Sequence, residues 1–269
     1  MGSYRTAELS DPLPGGEGLH LLTFKSPALG GRGDVTLFVP PGSEEGEDLP
    51  LVLLLHGVYA SHWAWALKGG AHRTALGLIG QKLIRPFVIA MPSDGLWGDG
   101  TGYLPHAGAD YEGWVVEDVV GCVTELLPCL GGQSKLFIAG LSMGGYGALR
   151  LGAKYAHMFG GISGHSAMTH HRQLSRFVEE PLASYRVERE EEEEGVLYWM
   201  KKKRGSLPPV RFDCGSGDDL IEENRRLHRD LTAEGIPHQY FEFEGGHTWE
   251  YWRKHFGDTL LFFEAQCAG

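Results

Sequence analysis

Gly140-Leu141-Ser142-Met143-Gly144-Gly145-Tyr146-Gly147 carries a G-x-S-x-G pattern, and its flanks give that pattern meaning. Ahead of it, Lys135-Leu136-Phe137-Ile138-Ala139 is a short apolar run of strand type. Behind it, Ala148-Leu149-Arg150-Leu151-Gly152-Ala153-Lys154-Tyr155 holds good helix formers. The pattern recurs by chance in many chains. Between a strand and a helix it marks a nucleophile elbow, a strained turn that exposes a serine hydroxyl. Gly140 and Gly144 let strand and helix cross where a Cβ would clash. The Met143 N–H, at the helix start, can point at a developing oxyanion. The competing reading is a glycine-rich helix start with Ser142 as its cap.

Working outward, the same alternation of strand and helix continues on both sides. Leu51-Val52-Leu53-Leu54-Leu55 is a continuous apolar run, as expected of a strand buried on both faces, and it ends in His56-Gly57-Val58-Tyr59. Pro86–Pro92 reads as another buried strand, followed by a long Gly- and aromatic-rich loop, Ser93–Asp110, with Trp97 and Tyr103. Leu19–Phe24 and Val35–Val39 read as an antiparallel pair, with Arg32-Gly33-Asp34 in the turn-rich connection. Ser61 is placed to cap a helix beginning at His62, and Tyr111–Val120 opens an amphipathic helix ending near Pro128.

Downstream, Phe159–Ser163, Val210–Cys214 and Gln239–Phe243 read as strands and Glu222–Glu234 as a helix. Trp249, Trp252, Phe256, Leu260 and Phe263 recur at helical spacing. Ala167–Ser206 breaks the rhythm. Its acidic run Glu188–Glu194 and basic run Lys201–Arg204 suggest a helical insertion or lid with a solvated outer face. The expected class is α/β, with a mostly parallel sheet covered by helices on both faces. With no internal repeat and no strong linker, residues 1–269 are expected to form a single domain with an insertion at about 167–206.

Charge narrows the partners. The 269 residues include 24 basic and 35 acidic ones, a net charge of −11, so neither nucleic acid nor an anionic membrane surface is expected. No run is long and apolar enough to span a bilayer, and no signal peptide is visible, which suggests a cytoplasmic protein. Met1-Gly2-Ser3-Tyr4-Arg5-Thr6 matches the N-myristoylation pattern, but no basic patch would assist a single acyl chain. Cys122, Cys129, Cys214 and Cys267 lack metal-type spacing and sit in apolar contexts, as buried thiols do. His165, His170 and His171 have no thiol or carboxylate at ligand spacing, so neither metal nor cofactor is expected.

A serine hydroxyl needs a base, and the base needs a group that holds its tautomer. In α/β-hydrolases these follow in the order Ser, acid, His. Asp218 lies in the turn after the Val210–Cys214 strand and His247 in the loop after Gln239–Phe243, at the strand ends where ligands bind in open α/β sheets. Asp219 is the rival acid, though it is better placed as a cap or first-turn residue of the following helix. A His-Gly pair ending a central strand is where the second oxyanion donor sits in that fold. Here Val58 N–H is the favoured donor and Tyr59 N–H the fallback, with His56 orienting the loop. Tyr59, Trp97 and Trp114 are expected to contact substrate.

Leu54-Leu55-His56-Gly57, Gly140–Ala148, Cys214-Gly215-Ser216-Gly217-Asp218 and Gly246-His247-Thr248-Trp249 together resemble the putative esterase family related to esterase D. Its members include tributyrin-type carboxylesterases, S-formylglutathione hydrolases, feruloyl esterases and antigen 85-type mycolyltransferases. The likeness runs from about Leu19 to Phe263 and implies an α/β-hydrolase fold. It also implies Ser142 as nucleophile, His247 as base, Asp218 as acid, and Val58 and Met143 as oxyanion hole. Asp219, often an aromatic in the family, and the acidic run depart from the pattern near the expected pocket. The implied activity is hydrolysis of small or short-chain carboxylic esters through an acyl-enzyme on Ser142, with a small-molecule ester as partner and homo-oligomerisation open. Net charge favours neutral esters over polyanionic acyl thioesters. An acyltransferase using an alcohol acceptor, or a non-catalytic binding protein on the same fold, are the alternatives.

Overall fold

The computed structural model describes residues 4, 6–43, 48–185, 193 and 195–267. Among these, the first strands are β1 (Glu8–Leu9), β2 (Leu19–Ser26), β3 (Gly31–Phe38), β4 (Leu51–Leu55) and β5 (Val88–Pro92). They are followed by β6 (Leu136–Leu141), β7 (Phe159–His165), β8 (Val210–Gly215) and β9 (Gln239–Phe243). One sheet takes them in the order β1-β2-β3-β5-β4-β6-β7-β8-β9. The pairs up to β3–β5 are antiparallel, and those from β5–β4 to β8–β9 are parallel.

The helices are α1 (Ala64–Leu67), α2 (Ala71–Gly80), α3 (Tyr111–Gly113), α4 (Val120–Leu126), α5 (Met143–Lys154), α6 (Val196–Lys202), α7 (Ile221–Ala233) and α8 (Trp249–Cys267). Strand β4 shows why the sheet needs cover on both sides. Leu51, Leu53 and Leu55 belong to a core with Ile138, Leu149 and Trp114, while Val52 and Leu54 belong to a second core with Phe137, Phe256 and Phe263. Successive side chains on a strand point to opposite faces, so an all-apolar strand demands an apolar partner on each. Helix α5 covers one face and α8 the other, and the mostly parallel sheet with helices on both faces matches the α/β expectation.

Several local expectations are corrected. Arg32-Gly33-Asp34 lies inside β3, because the turn closes within Pro27–Gly30, where Gly30 has φ +62° and its N–H donates to Pro27 O. Asp34 then accepts the Thr23 hydroxyl at 2.6 Å across the strand pair. The helix expected at His62 begins at Ala64, with Trp63 at its cap, and Ser61 contributes its backbone carbonyl to Ala64 N–H rather than its hydroxyl. The helix opened by Tyr111 widens into a π-helical stretch, Trp114–Val119, before α4. Asp219 does not cap α7; Leu220 holds that position with no side-chain bond.

The expected insertion carries two 3-10 turns, His171–Arg176 and Leu182–Tyr185, followed by α6. Residues 188–192 and 194 of the acidic run, and 1–3 and 5 of the myristoylation-like stretch, lie outside the described residues. Cys122, Cys129 and Cys214 are buried free thiols and Cys267 is partly exposed. Burial, with the charge of nearby Glu125 and Asp118, pushes the Cys122 thiol up to about 12. No helix of the described residues is long and apolar enough to cross a membrane.

Candidate active site

Strand β6 ends at Leu141 and α5 starts at Met143, so Ser142 is the whole of the turn. It has φ +54° and ψ −118°, a conformation that costs a non-glycine residue about 1–3 kcal/mol. Neighbouring backbone holds it there. Ser142 N–H donates to His165 O at 2.9 Å, and its carbonyl accepts from Tyr146 N–H at 3.0 Å and Met168 N–H at 3.2 Å. The two flanking glycines make the crossing possible. A Cβ on Gly140 would overlap the backbone of Gly144, and one on Gly144 would overlap the carbonyls of Leu55 and His56.

The carboxyl ends of β8 and β9 bring in the other two groups. His247 Nε2 lies 3.0 Å from Ser142 Oγ, and His247 Nδ1 lies 3.0 and 2.9 Å from the two Asp218 oxygens. A carboxylate can only accept, so Nδ1 carries the proton and Nε2 presents its lone pair to the hydroxyl. Burial alone would raise the Asp218 carboxyl. The His247 hydrogen bond and charge, the Leu220 N–H and the Ser166 hydroxyl outweigh it and hold Asp218 below the usual carboxylate range. Asp219, one residue on, is exposed, and its carbonyl accepts from Arg176.

Sequence reasoning missed two supports. Ser166, buried at the end of β7 with φ +46°, accepts Trp252 Nε1–H at 3.1 Å and hydrogen-bonds Asp218. Trp252 in turn packs edge-on against His247, with ring centres 4.9 Å apart. The polar run Ser163-Gly164-His165-Ser166 at a strand end was the available signal. The second support is Phe177, whose ring lies nearly parallel to His247 with centres 6.2 Å apart. It comes from the expected insertion and had no signal in its local sequence.

On the other side of Ser142, His56 is buried and does not approach the triad geometry. Its Nε2 accepts Asp94 N–H at 3.1 Å, so its Nδ1 carries the proton and donates to Gly57 O at 2.7 Å. Tyr59 N–H is engaged, donating to Asp99 O at 2.8 Å, whereas Val58 N–H and Met143 N–H donate to no backbone carbonyl among the described residues. The Met143 side chain also ties the elbow to the 93–110 loop, its Sδ accepting Gly102 N–H at 3.4 Å.

Ser142 and His247 open onto a cavity of about 260 Å³, bordered by Gly57, Val58 and Leu141 and by Tyr59, Trp63, Phe177, Trp249, Trp252 and Lys68. Of the three aromatics expected to meet substrate, only Tyr59 lines it. Trp97 packs edge-on against His106 and Tyr185 instead. Trp114 is fully buried, donates Nε1–H to Ser93 O at 2.8 Å and packs on Phe24, because an indole this large fills the core beneath β3. His165 is likewise a core residue, bonded to Asp213 and Thr259. Among the described residues, no three His, Cys, Asp or Glu side chains gather as a metal site would require.

A family model described as putative esterase matches residues 26–263. An acetyl esterase of Caldicellulosiruptor saccharolyticus is 31% identical over 233 residues, spanning 80% of this chain and 84% of that protein. Among solved structures, a ferulic acid esterase superposes with a TM-score of 0.78 at 21% identity, over 97% of this chain and 98% of its own. The S-formylglutathione hydrolase of Staphylococcus aureus superposes with a TM-score of 0.76 at 19% identity, over 95% and 98% respectively.

Proposed function

The chain belongs to the putative esterase family and hydrolyses carboxylic esters, and we propose that it does so through an acyl-enzyme on Ser142. The observation that carries this reading is the hydrogen-bonded line from Asp218 through His247 to Ser142 Oγ, with Nε2 3.0 Å from the hydroxyl. As Oγ bonds to the ester carbonyl carbon, His247 Nε2 takes the hydroxyl proton, and Asp218 stabilises the imidazolium. The carbonyl oxygen becomes an oxyanion that accepts hydrogen bonds from Val58 N–H and Met143 N–H. His247 then gives its proton to the leaving alcohol as the C–O bond breaks. Water enters, loses a proton to Nε2 and attacks the acyl carbon; as the acyl–Oγ bond breaks, Nε2 returns the proton to Oγ, releasing the acid and a free Ser142.

Val58 is assigned the donor role over Tyr59 because the Tyr59 N–H is already spent on Asp99 O. The small cavity favours short acyl groups; the relative named acetyl esterase points the same way. The test is Ser142→Ala assayed on p-nitrophenyl esters of graded acyl length, alongside labelling by a fluorophosphonate probe. Turnover is expected to fall on the order of a thousandfold or more, since only binding and the oxyanion hole remain, and labelling to vanish. A variant that keeps most of its turnover refutes the acyl-enzyme on Ser142.

A further inference from the structure

The lining of the catalytic cavity holds one formal cation, Lys68, and no carboxylate. That composition runs against the chain as a whole, with its 35 acidic and 24 basic residues. Among the described residues, some of the other cations are paired and others, like Lys68, are not. Arg73, Arg85, Arg150, Arg176, Lys201 and Arg225 each pair with a glutamate. Among the described residues Lys68 has no carboxylate within ion-pair reach, in a protein where acids outnumber bases.

The backbone of Lys68 is anchored while the residue is exposed. Lys68 N–H donates to Ala64 O at 2.9 Å, its carbonyl accepts from Arg253 Nη2 at 3.1 Å, and its Nζ lies 5.7 Å over the Trp249 ring. Lysine at a helix C-terminus also complements the helix dipole. Helix α1 is a single turn, however, and that role requires no place in the cavity wall. A cation over an aromatic face, in the wall of the cavity that Ser142 opens onto and with no carboxylate partner among the described residues, is suited to meet an anionic group on the bound ester.

Resting on the Ser142 reading above, we propose that Lys68 is a specificity residue that favours esters bearing a second, ionised carboxylate, on either the acyl or the alcohol part. The net charge of −11 disfavours polyanions at long range, whereas a single carboxylate inside the cavity meets the local cation. Lys68 touches no reacting atom. It raises kcat/KM for the charged ester by ion pairing on binding.

The experiment compares two pairs of near-isosteric esters. Phenyl hydrogen succinate against phenyl pentanoate puts the carboxylate on the acyl part. Then 4-acetoxybenzoate against methyl 4-acetoxybenzoate puts it on the leaving group. For the wild type, Lys68→Met and Lys68→Arg, the readout is the charged-to-neutral ratio of kcat/KM at low and high salt. In one pair the ratio is expected to fall about fivefold in Lys68→Met, as loss of a partly exposed ion pair would produce, and to be largely restored in Lys68→Arg. The wild-type ratio should also shrink as salt rises. The pair that responds identifies the end of the ester that faces Lys68. Ratios unchanged by Lys68→Met in both pairs overturn the proposal while leaving the Ser142 reading intact. A wild type that turns over neither neutral ester, and takes no fluorophosphonate label, overturns both.

Discussion

His56 Nδ1 donates to the carbonyl oxygen of Gly57 at 2.7 Å, and that bond orients the peptide unit whose N–H belongs to Val58. A trans peptide is planar, with C=O and N–H on opposite sides, so fixing one fixes the other. Asp94 N–H, bonded to His56 Nε2, sets the tautomer that makes the arrangement possible. On the oxyanion role proposed for Val58, His56 would be a positioning residue that acts through it.

Replacing it separates positioning from packing. His56→Ala is expected to lower kcat by about a hundredfold, the lower end of what loss of an oxyanion donor costs, with KM moved much less. It also leaves the buried Asp94 N–H unpaired, at about 1–3 kcal/mol of stability. Steady-state kinetics and denaturant melts of the same variant check both. A folded His56→Ala enzyme with normal kcat would show that the Val58 N–H is held without it.

Asp218 and Asp219 are adjacent but meet different surroundings. Asp218→Asn is expected to lower turnover by about 10⁴ through the wrong His247 tautomer, with little change in melting. Asp219→Asn, at an exposed side chain, should cost almost nothing. The measurement is turnover of both variants at matched folding. The reverse ranking would move the acid one residue along the chain.

Asp213 carries the strongest acid-stability prediction. Burial would raise its carboxyl, but His165 and Arg211, with their hydrogen bonds, bring it down to about 2 from an ordinary value of 3.8. A carboxyl depressed in the folded state stabilises the protein above its unfolded pKa, and that contribution is lost as pH falls from about 4 to about 2. Asp213→Asn should lose about 3–5 kcal/mol at pH 7 by removing the buried carboxylate that faces the buried Arg211 guanidinium. Between pH 4 and pH 2 its stability should also decline less steeply than the wild type's. Urea melts across that range test the slope, and parallel slopes would refute the assignment.

Trp114 belongs to the core. Trp114→Phe is expected to destabilise by about 1–3 kcal/mol, through the unpaired Ser93 carbonyl and the space vacated against Phe24. The order of preference among esters of different acyl length should stay as in the wild type, because Trp114 does not border the cavity. A reordered acyl preference at unchanged stability would return it to the substrate site.

The sequence alone determined the architecture and the chain order of the candidate site, because both are written in local patterns. The continuous apolar run of β4 requires burial on two faces, and G-x-S-x-G between strand and helix requires an elbow. Asp218 and His247 were legible because each closely follows a strand whose carboxyl end must lie beside Ser142. What the sequence left open was which way side chains point across distances of many residues. Whether Trp114 or Tyr59 borders the cavity depends on how the π-helical stretch rolls its indole under β3, and no periodicity in residues 111–120 records that. Ser166, Phe177 and Lys68 reach the site from three separate connections, so only the packed sheet edge brings them together. The choice of Val58 over Tyr59 likewise came from a long-range contact, Tyr59 N–H to Asp99 O, between two loops joined by nothing in their local sequence.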